Sequence, residues 1–205
     1  LCLLCSIGEL KGQEGTENEF VWVTSGSDYS LGITKVGTGI SWGSPMSESA
    51  KAYIPQGNLW SKLTAGASHS CGLTDLGETL CWGRNSEGQL NVPPGVNFIQ
   101  LTLGEAFTCG ITNLKETLCW GSDIDGKLKV PPDEQWLIVS SGALHTCGLT
   151  SLGKIICWGM PGYGRTDVPY ALETAIYWEG LSCGYKHCCG MLLESALRVK
   201  KRRQE

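Results

Sequence analysis

The sequence predicts an all-β protein, a β-propeller built from four-stranded blades of about 38 residues each. Three observations carry that expectation. Glycine supplies 28 of the 205 residues and charged residues make up only 18%, a composition that suits many short elements joined by tight turns. The pair Trp-Gly recurs at Trp42-Gly43, Trp82-Gly83, Trp120-Gly121 and Trp158-Gly159. Several further markers repeat around it in the same phase. One sheet of short strands cannot bury both of its faces, whereas sheets packed radially bury them against one another. A linear β-solenoid competes, but its coils are usually shorter, roughly 20–30 residues.

Each unit opens on an aromatic residue: Phe20, Trp60, Phe98, Trp136 or Trp178. A glycine follows at a fixed distance, at Gly26, Gly66, Gly104, Gly142 and Gly184. Next comes a hairpin, as in the stretch from Cys71 to Trp82. Antiparallel pairing there sets Cys71 against Cys81 and Leu73 against Thr79, and leaves Asp75, Leu76 and Gly77 as the loop. A three-residue hairpin loop needs a left-handed residue at its third position, which Gly77 supplies. Gly37 and Gly153 repeat this, while Lys115 occupies the place at some cost. After Trp-Gly the chain reads GRNSEGQLNVPP, GSDIDGKLKVPP and GMPGYGRTDVP, closing on Pro93, Pro131 and Pro169.

The chain has 11 cysteines, many for a reduced cytosolic protein and odd in number. Three pairs bracket hairpins: Cys71/Cys81, Cys109/Cys119 and Cys147/Cys157. Facing residues of an antiparallel pair have Cβ atoms about 4.5–5.5 Å apart, near the roughly 3.5–4.5 Å of a disulfide. In the first unit Leu31 and Ser41 replace both members together, as loss of a bonded pair requires. The competing reading is a set of small buried thiols. Cys2, Cys183 and Cys188 have no repeat-based partner.

The pattern GxxHxCGLTxxGxxxCWGxNxxGQLxVP, carried by residues 66–93, resembles the regulator of chromosome condensation superfamily of propellers. The short period and GQLNVP are similar to the compact propeller of a secreted bacterial β-lactamase inhibitor protein. The cysteines flanking each hairpin resemble the ectodomain repeats of plant crinkly-type receptor kinases. The resemblance covers roughly residues 20–190 and implies a fold that serves as exchange factor, inhibitor, receptor ectodomain or scaffold. Family members commonly close seven blades, and the chain offers four full units and part of a fifth. Residues 1–19 read as an N-terminal half-repeat or a signal-peptide remnant, 20–190 as propeller repeats and 191–205 as a basic tail. Leu3–Gln13 aligns with Thr79–Gln89, placing Cys5 at the Cys81 position. Either the two half-units complete one another, with a Cys5–Cys189 bond closing a five-bladed ring, or the chain is cut from a longer array.

No catalytic signature is present: no nucleophile elbow, phosphate loop or paired carboxylates. The expectation is a non-enzyme without cofactor or metal. Cys183, His187, Cys188 and Cys189 have ligand residue types but match no strong zinc spacing. His69, His145 and His187 share a repeat position with Tyr29 and Phe107, which points to packing; a ring of histidines around the axis is the alternative. Seven of the eight tryptophans are repeat-locked and read as core. Trp22 stands off register and leaves a lectin reading open. A net charge of −4 argues against a nucleic-acid surface, and no apolar run is long enough for a membrane helix. The expected partner is a protein or peptide, met outside the cell, with an intracellular exchange-factor-like or scaffold propeller as the alternative. The loops after Trp-Gly vary most between units and supply the contact candidates: Arg84, Asn85 and Glu87; Asp123 and Asp125; Tyr163 and Arg165.

Overall fold

The structure is a computed structural model that describes residues 19–43, 53–168 and 178–192. Its strands form one antiparallel sheet per repeat. The first sheet holds β1 (Phe20–Ser25), β2 (Tyr29–Thr34) and β3 (Gly39–Gly43); the second holds β4 (Trp60–Ala65), β5 (His69–Thr74) and β6 (Thr79–Gly83). The third holds β7 (Phe98–Leu103), β8 (Phe107–Thr112) and β9 (Thr117–Gly121), and the fourth β10 (Trp136–Ser141), β11 (His145–Thr150) and β12 (Ile155–Gly159). In the fifth, β13 (Trp178–Cys183) pairs with β14 (Cys188–Leu192).

The described sheets have three strands at most, not the four expected from the repeat length. The segment after Trp-Gly forms turns and short 3-10 stretches at Ile124–Gly126 and Gly162–Gly164 instead of a fourth strand. Its glycines and prolines suit turns better than a ladder. Its backbone is used nonetheless: Trp120 Nε1 donates to the Gln89 carbonyl at 3.0 Å and Trp158 Nε1 to the Lys127 carbonyl at 3.1 Å. The loops of units two and three thereby hold the Trp-Gly of the unit that follows.

The hairpin register agrees with the spacing. Cys71 faces Cys81 and Leu73 faces Thr79. Gly37, Gly77 and Gly153 have φ of 83°, 83° and 80°, and Lys115 adopts the same left-handed conformation at 65°. Disulfides join Cys71–Cys81, Cys109–Cys119 and Cys147–Cys157, each with Cα atoms 4.0 Å apart. A fourth joins Cys183–Cys188, directly opposed on β13 and β14; alignment to the repeat leaves both without a partner. Cys189 is exposed and its sulfur is unbonded among the described residues. Its expected partner Cys5 lies outside the described residues, as does Pro169.

First strands touch first strands: β1 with β4, β4 with β7, β7 with β10 and β10 with β13. They are the inner edges of sheets arrayed around an axis, as in a propeller. Each carries a register shift at its start, for example between Trp60 and Lys62, a bulge that sharpens local twist. The core lies between sheets. Tyr29, Leu31 and Ile33 pack with Trp60, Leu63 and Trp82 of the next unit. Cys71 and Leu73 pack with Phe98, Leu101 and Trp120, and Ile111 with Trp136, Val139 and Trp158. Within each sheet the opening aromatic leans on the tryptophan of Trp-Gly, with ring centroids 5.4, 5.5, 5.2 and 5.3 Å apart in units one to four. In units two to four both rings are buried, which removes a large apolar area from water. Phe20 and Trp42 are half-exposed, whereas their counterparts are buried, because no described sheet packs on that side of the first.

Candidate binding surface

Two ends of the sheets present different chemistry. At one end the turns between first and second strands converge on the axis. They line a cavity of about 270 Å³ with equivalent residues from every sheet, including Gly26, Gly66, Gly104, Gly142 and Gly184. The loops after Trp-Gly leave from this end. Those of units two to four are pinned at their starts to the neighbouring turn: Arg84 N donates to Ser68 O at 3.0 Å, Ser122 N to Ala106 O at 3.0 Å and Met160 N to Leu144 O at 2.9 Å.

These loops share a frame and differ at their tips. Asn85 Oδ1 accepts from Leu90 N at 2.9 Å, and Asp123 Oδ1 accepts from Leu128 N at 3.0 Å. Both side chains are thus spent on loop geometry, as Asn and Asp favour in turns. Pro161 fills the place in the fourth unit. Arg84, Glu87 and Asp125 are exposed, and Tyr163 is 84% exposed. Asp125 and Tyr163 both sit at φ 66°, which turns the side chain out at the loop apex. The Tyr163 ring has the Arg165 guanidinium 5.2 Å and the Lys186 ammonium 5.0 Å from its centroid, distances at which an aromatic face attracts a cation.

Arg165 is not a surface contact. It is only 6% exposed, and it shares its repeat position with the buried Gln89 and Lys127. That position wedges between sheets: Lys127 Nζ lies 5.7 Å from the centre of the Phe107 ring. The remaining contact candidates are all on the surface.

The histidine position is internal. Tyr29 Oη reaches the next unit, 2.7 Å from Ser70 Oγ and 3.0 Å from the His69 carbonyl. His69 Nε2 lies 2.8 Å from Thr108 Oγ1, and His145 Nε2 lies 3.2 Å from Cys188 Sγ. These rings bridge consecutive sheets, so the alternative of an axial histidine ring does not hold; His187 is exposed. Burial pushes His69 down to about 4. His145 is also held below the usual histidine range, by burial first and then by the Arg165 and His187 charges. Trp22 is tied down too, its Nε1 donating to Leu63 O of the next sheet at 2.9 Å.

The ligand types of the fifth unit do not converge as one set. Cys189 points away from Cys188, as neighbours on a strand do. Instead His145, Cys147, Cys183 and Cys188 bring their ligand atoms within 4.8 Å of one another, two from each of two sheets.

At the opposite end lies a feature the sequence expectations did not include. Val36, Leu76, Leu114 and Leu152 occupy the middle of successive hairpin loops and are 54–82% exposed. The signal for it is an apolar residue in the same place of four polar turns.

Residues 60–89 and 138–165 match the Regulator of chromosome condensation (RCC1) repeat. The two matched RCC1 segments run from an opening strand to the buried Gln89 and Arg165 positions. No curated protein matches the sequence at a significant level. Among solved structures, the ectodomain of the Physcomitrella patens receptor kinase CR4 is 25% identical with a TM-score of 0.67, over 85% of this chain and 48% of that one. The CRINKLY WD40 ectodomain of the Arabidopsis thaliana receptor kinase ACR4 is 28% identical with a TM-score of 0.60, over 67% and 50%. Prp20p of Saccharomyces cerevisiae, described with its binding properties to Gsp1p and histones, is 14% identical with a TM-score of 0.73, over 94% and 60%. That last likeness concerns the fold alone. The chain spans about half to three-fifths of the length of these three structures. No helix among the described residues is long and apolar enough to cross a membrane.

Proposed function

We propose that the chain is part of a non-catalytic propeller that recognises a protein or peptide through the end where the loops after Trp-Gly open, in an extracellular or secreted setting. The observation that carries this reading is a shared turn with varied tips: Asn91 N, Lys129 N and Asp167 N donate to Gly88 O, Gly126 O and Gly164 O at equivalent places. Asn85 and Asp123 hold the backbone in place, while Glu87, Asp125 and Tyr163 stand at equivalent apices with different chemistry. Rigid loops with unlike tips supply specificity at little ordering cost. The hairpin disulfides and the likeness to receptor ectodomains favour the extracellular setting. The likeness to Prp20p supports protein recognition by this fold and keeps the intracellular scaffold as the second reading.

The test replaces Glu87, Asp125 and Tyr163 by alanine together. The wild-type chain and the triple variant are compared for partner capture and for melting temperature. Loss of the captured partner at unchanged melting temperature is the expected result. A partner retained by the variant, or binding and stability lost in parallel, removes these tips from the contact.

A further inference from the structure

We propose that the reduced chain binds one Zn²⁺ ion between the fourth and fifth sheets, on His145 Nε2 and the thiolates of Cys147, Cys183 and Cys188, and that this state excludes the disulfides 147–157 and 183–188. The site adjoins the fourth loop, whose Tyr163 and Arg165 line the same cavity as Cys147 and Cys188.

Four positions of the repeat meet at each junction between sheets: the ring position and the cysteine position of one sheet, and a facing pair from the first and second strands of the next. At the junction of units one and two they are Tyr29, Leu31, Ala65 and Ser70; at the next, His69, Cys71, Leu103 and Thr108. At the third they are Phe107, Cys109, Ser141 and Thr146. At the fourth they are His145, Cys147, Cys183 and Cys188. Among the described residues only this junction has a metal-ligand side chain at all four. The geometry is inherited from the repeat. Ser141 Oγ and Thr146 Oγ1 face each other at 2.9 Å, and Cys109 Sγ lies 4.0 Å from Thr146 Oγ1. Cys183 and Cys188 replace that hydroxyl pair together.

Once the two disulfides open, the ligand atoms stand close enough to gather on one tetrahedral ion. With zinc–sulfur bonds of about 2.3 Å, two sulfurs on a tetrahedral centre stand ~3.8 Å apart. The four ligand atoms lie within 4.8 Å of one another, and His145 Nε2 is 3.2 Å from Cys188 Sγ. His145 and Cys147 are two apart on β11, so both point to the same face. Cys183 N is anchored at 2.9 Å on Ser140 Oγ of the fourth sheet, which fixes the junction. Three cysteines and one histidine make a closed structural zinc set.

The two states interconvert by a balanced step. A dithiol gives two electrons and two protons to each disulfide and closes to its own cyclic disulfide. Of the four thiols formed, Cys147, Cys183 and Cys188 release their protons on binding the ion, and Cys157 stays a thiol.

The experiment uses the whole chain, reduced with a phosphine, and titrates it with Co²⁺ and then Zn²⁺. The comparison is the Cys183→Ser/Cys188→Thr variant, which restores the pair seen at Ser141 and Thr146 and keeps all the hairpin cysteines. The reduced wild type is expected to take up one Co²⁺ with the absorption of a tetrahedral thiolate site, to lose it to Zn²⁺, and to melt higher with Zn²⁺ than without. The double variant loses both the absorption and the shift. His145→Phe, which introduces the residue found at 107, weakens Co²⁺ binding while leaving the oxidised protein folded. Equal uptake by the double variant, or a reduced chain that Zn²⁺ neither strips of Co²⁺ colour nor stabilises, overturns the proposal.

Discussion

Gly110 is the position where interior packing is most open to test. It lies on β8 beneath the ring of Phe98, which is wedged against Trp120 with centroids 5.2 Å apart. A Cβ at 110 would stand 2.5 Å from Phe98 Cδ1, 2.9 Å from Cε1 and 3.0 Å from Leu101 Cδ2. Carbon atoms in contact prefer about 3.5–4.0 Å, so the ring must retreat by roughly 1 Å into a tryptophan that is itself buried. Overpacking of this kind costs about 1–3 kcal/mol. For a chain of this size that lowers the melting temperature by roughly 2–12 °C. The assay is urea unfolding of Gly110→Ala followed by tryptophan fluorescence, repeated in a Phe98→Leu background. Leucine at 98 vacates the space over position 110, so the alanine should cost about 1 kcal/mol less there, a coupling typical of residues in contact. An alanine variant within about 0.5 kcal/mol of wild type, or the same cost in both backgrounds, refutes the claim that this glycine exists for the ring.

Two further predictions test the interior and the turns. His69 is held at about 4 by burial, below an unfolded value of about 6.5. The unfolded chain therefore binds the extra proton between those values. The stabilisation is complete above pH 6.5 and is lost as pH falls toward 4, by about 3 kcal/mol in total. His69→Phe, the residue found at 107, should flatten the fall in urea midpoint between pH 7 and 4.5; an unchanged slope rules His69 out as its source. Lys115 stands at φ 65° where three other units have glycine. Lys115→Gly should raise stability by about 0.5–1 kcal/mol, relief of left-handed strain less the entropy of the freed chain, and a lower urea midpoint would show that the lysine side chain contributes more than its backbone costs.

The repeat makes much of the fold legible because its markers are local. A hairpin is set by a loop of three residues and by which residues then face one another, so Cys71 against Cys81 and Leu73 against Thr79 follow from spacing. The expected fourth strand fails for the opposite reason. Thirty-eight residues suffice for four strands on length alone, but the segment around Gly88 satisfies its backbone in turns and against Trp120 of the next unit. Arg165 departs from its expected place through the same influence of the neighbour. Its charge argues for solvent, while its repeat position is the wedge that Gln89 and Lys127 also fill.

The chemistry of this chain lies at junctions, and junctions are not contiguous in sequence. Cys183 and Cys188 look partnerless when aligned with the repeat, because their counterparts are Ser, Thr, Ala and Leu. They acquire meaning only when β13 and β14 are paired and laid against β11, which brings His145 and Cys147 to them. A search for ligand spacing within one unit collects His187 and Cys189 instead, two residues that strand alternation and exposure turn away. In a repeat protein the unit of recognition for buried side chains is one sheet's second strand together with the next sheet's first hairpin. Within that unit, residues 145, 147, 183 and 188 form a single motif whose two halves lie 36 positions apart, and each earlier junction serves as its internal control.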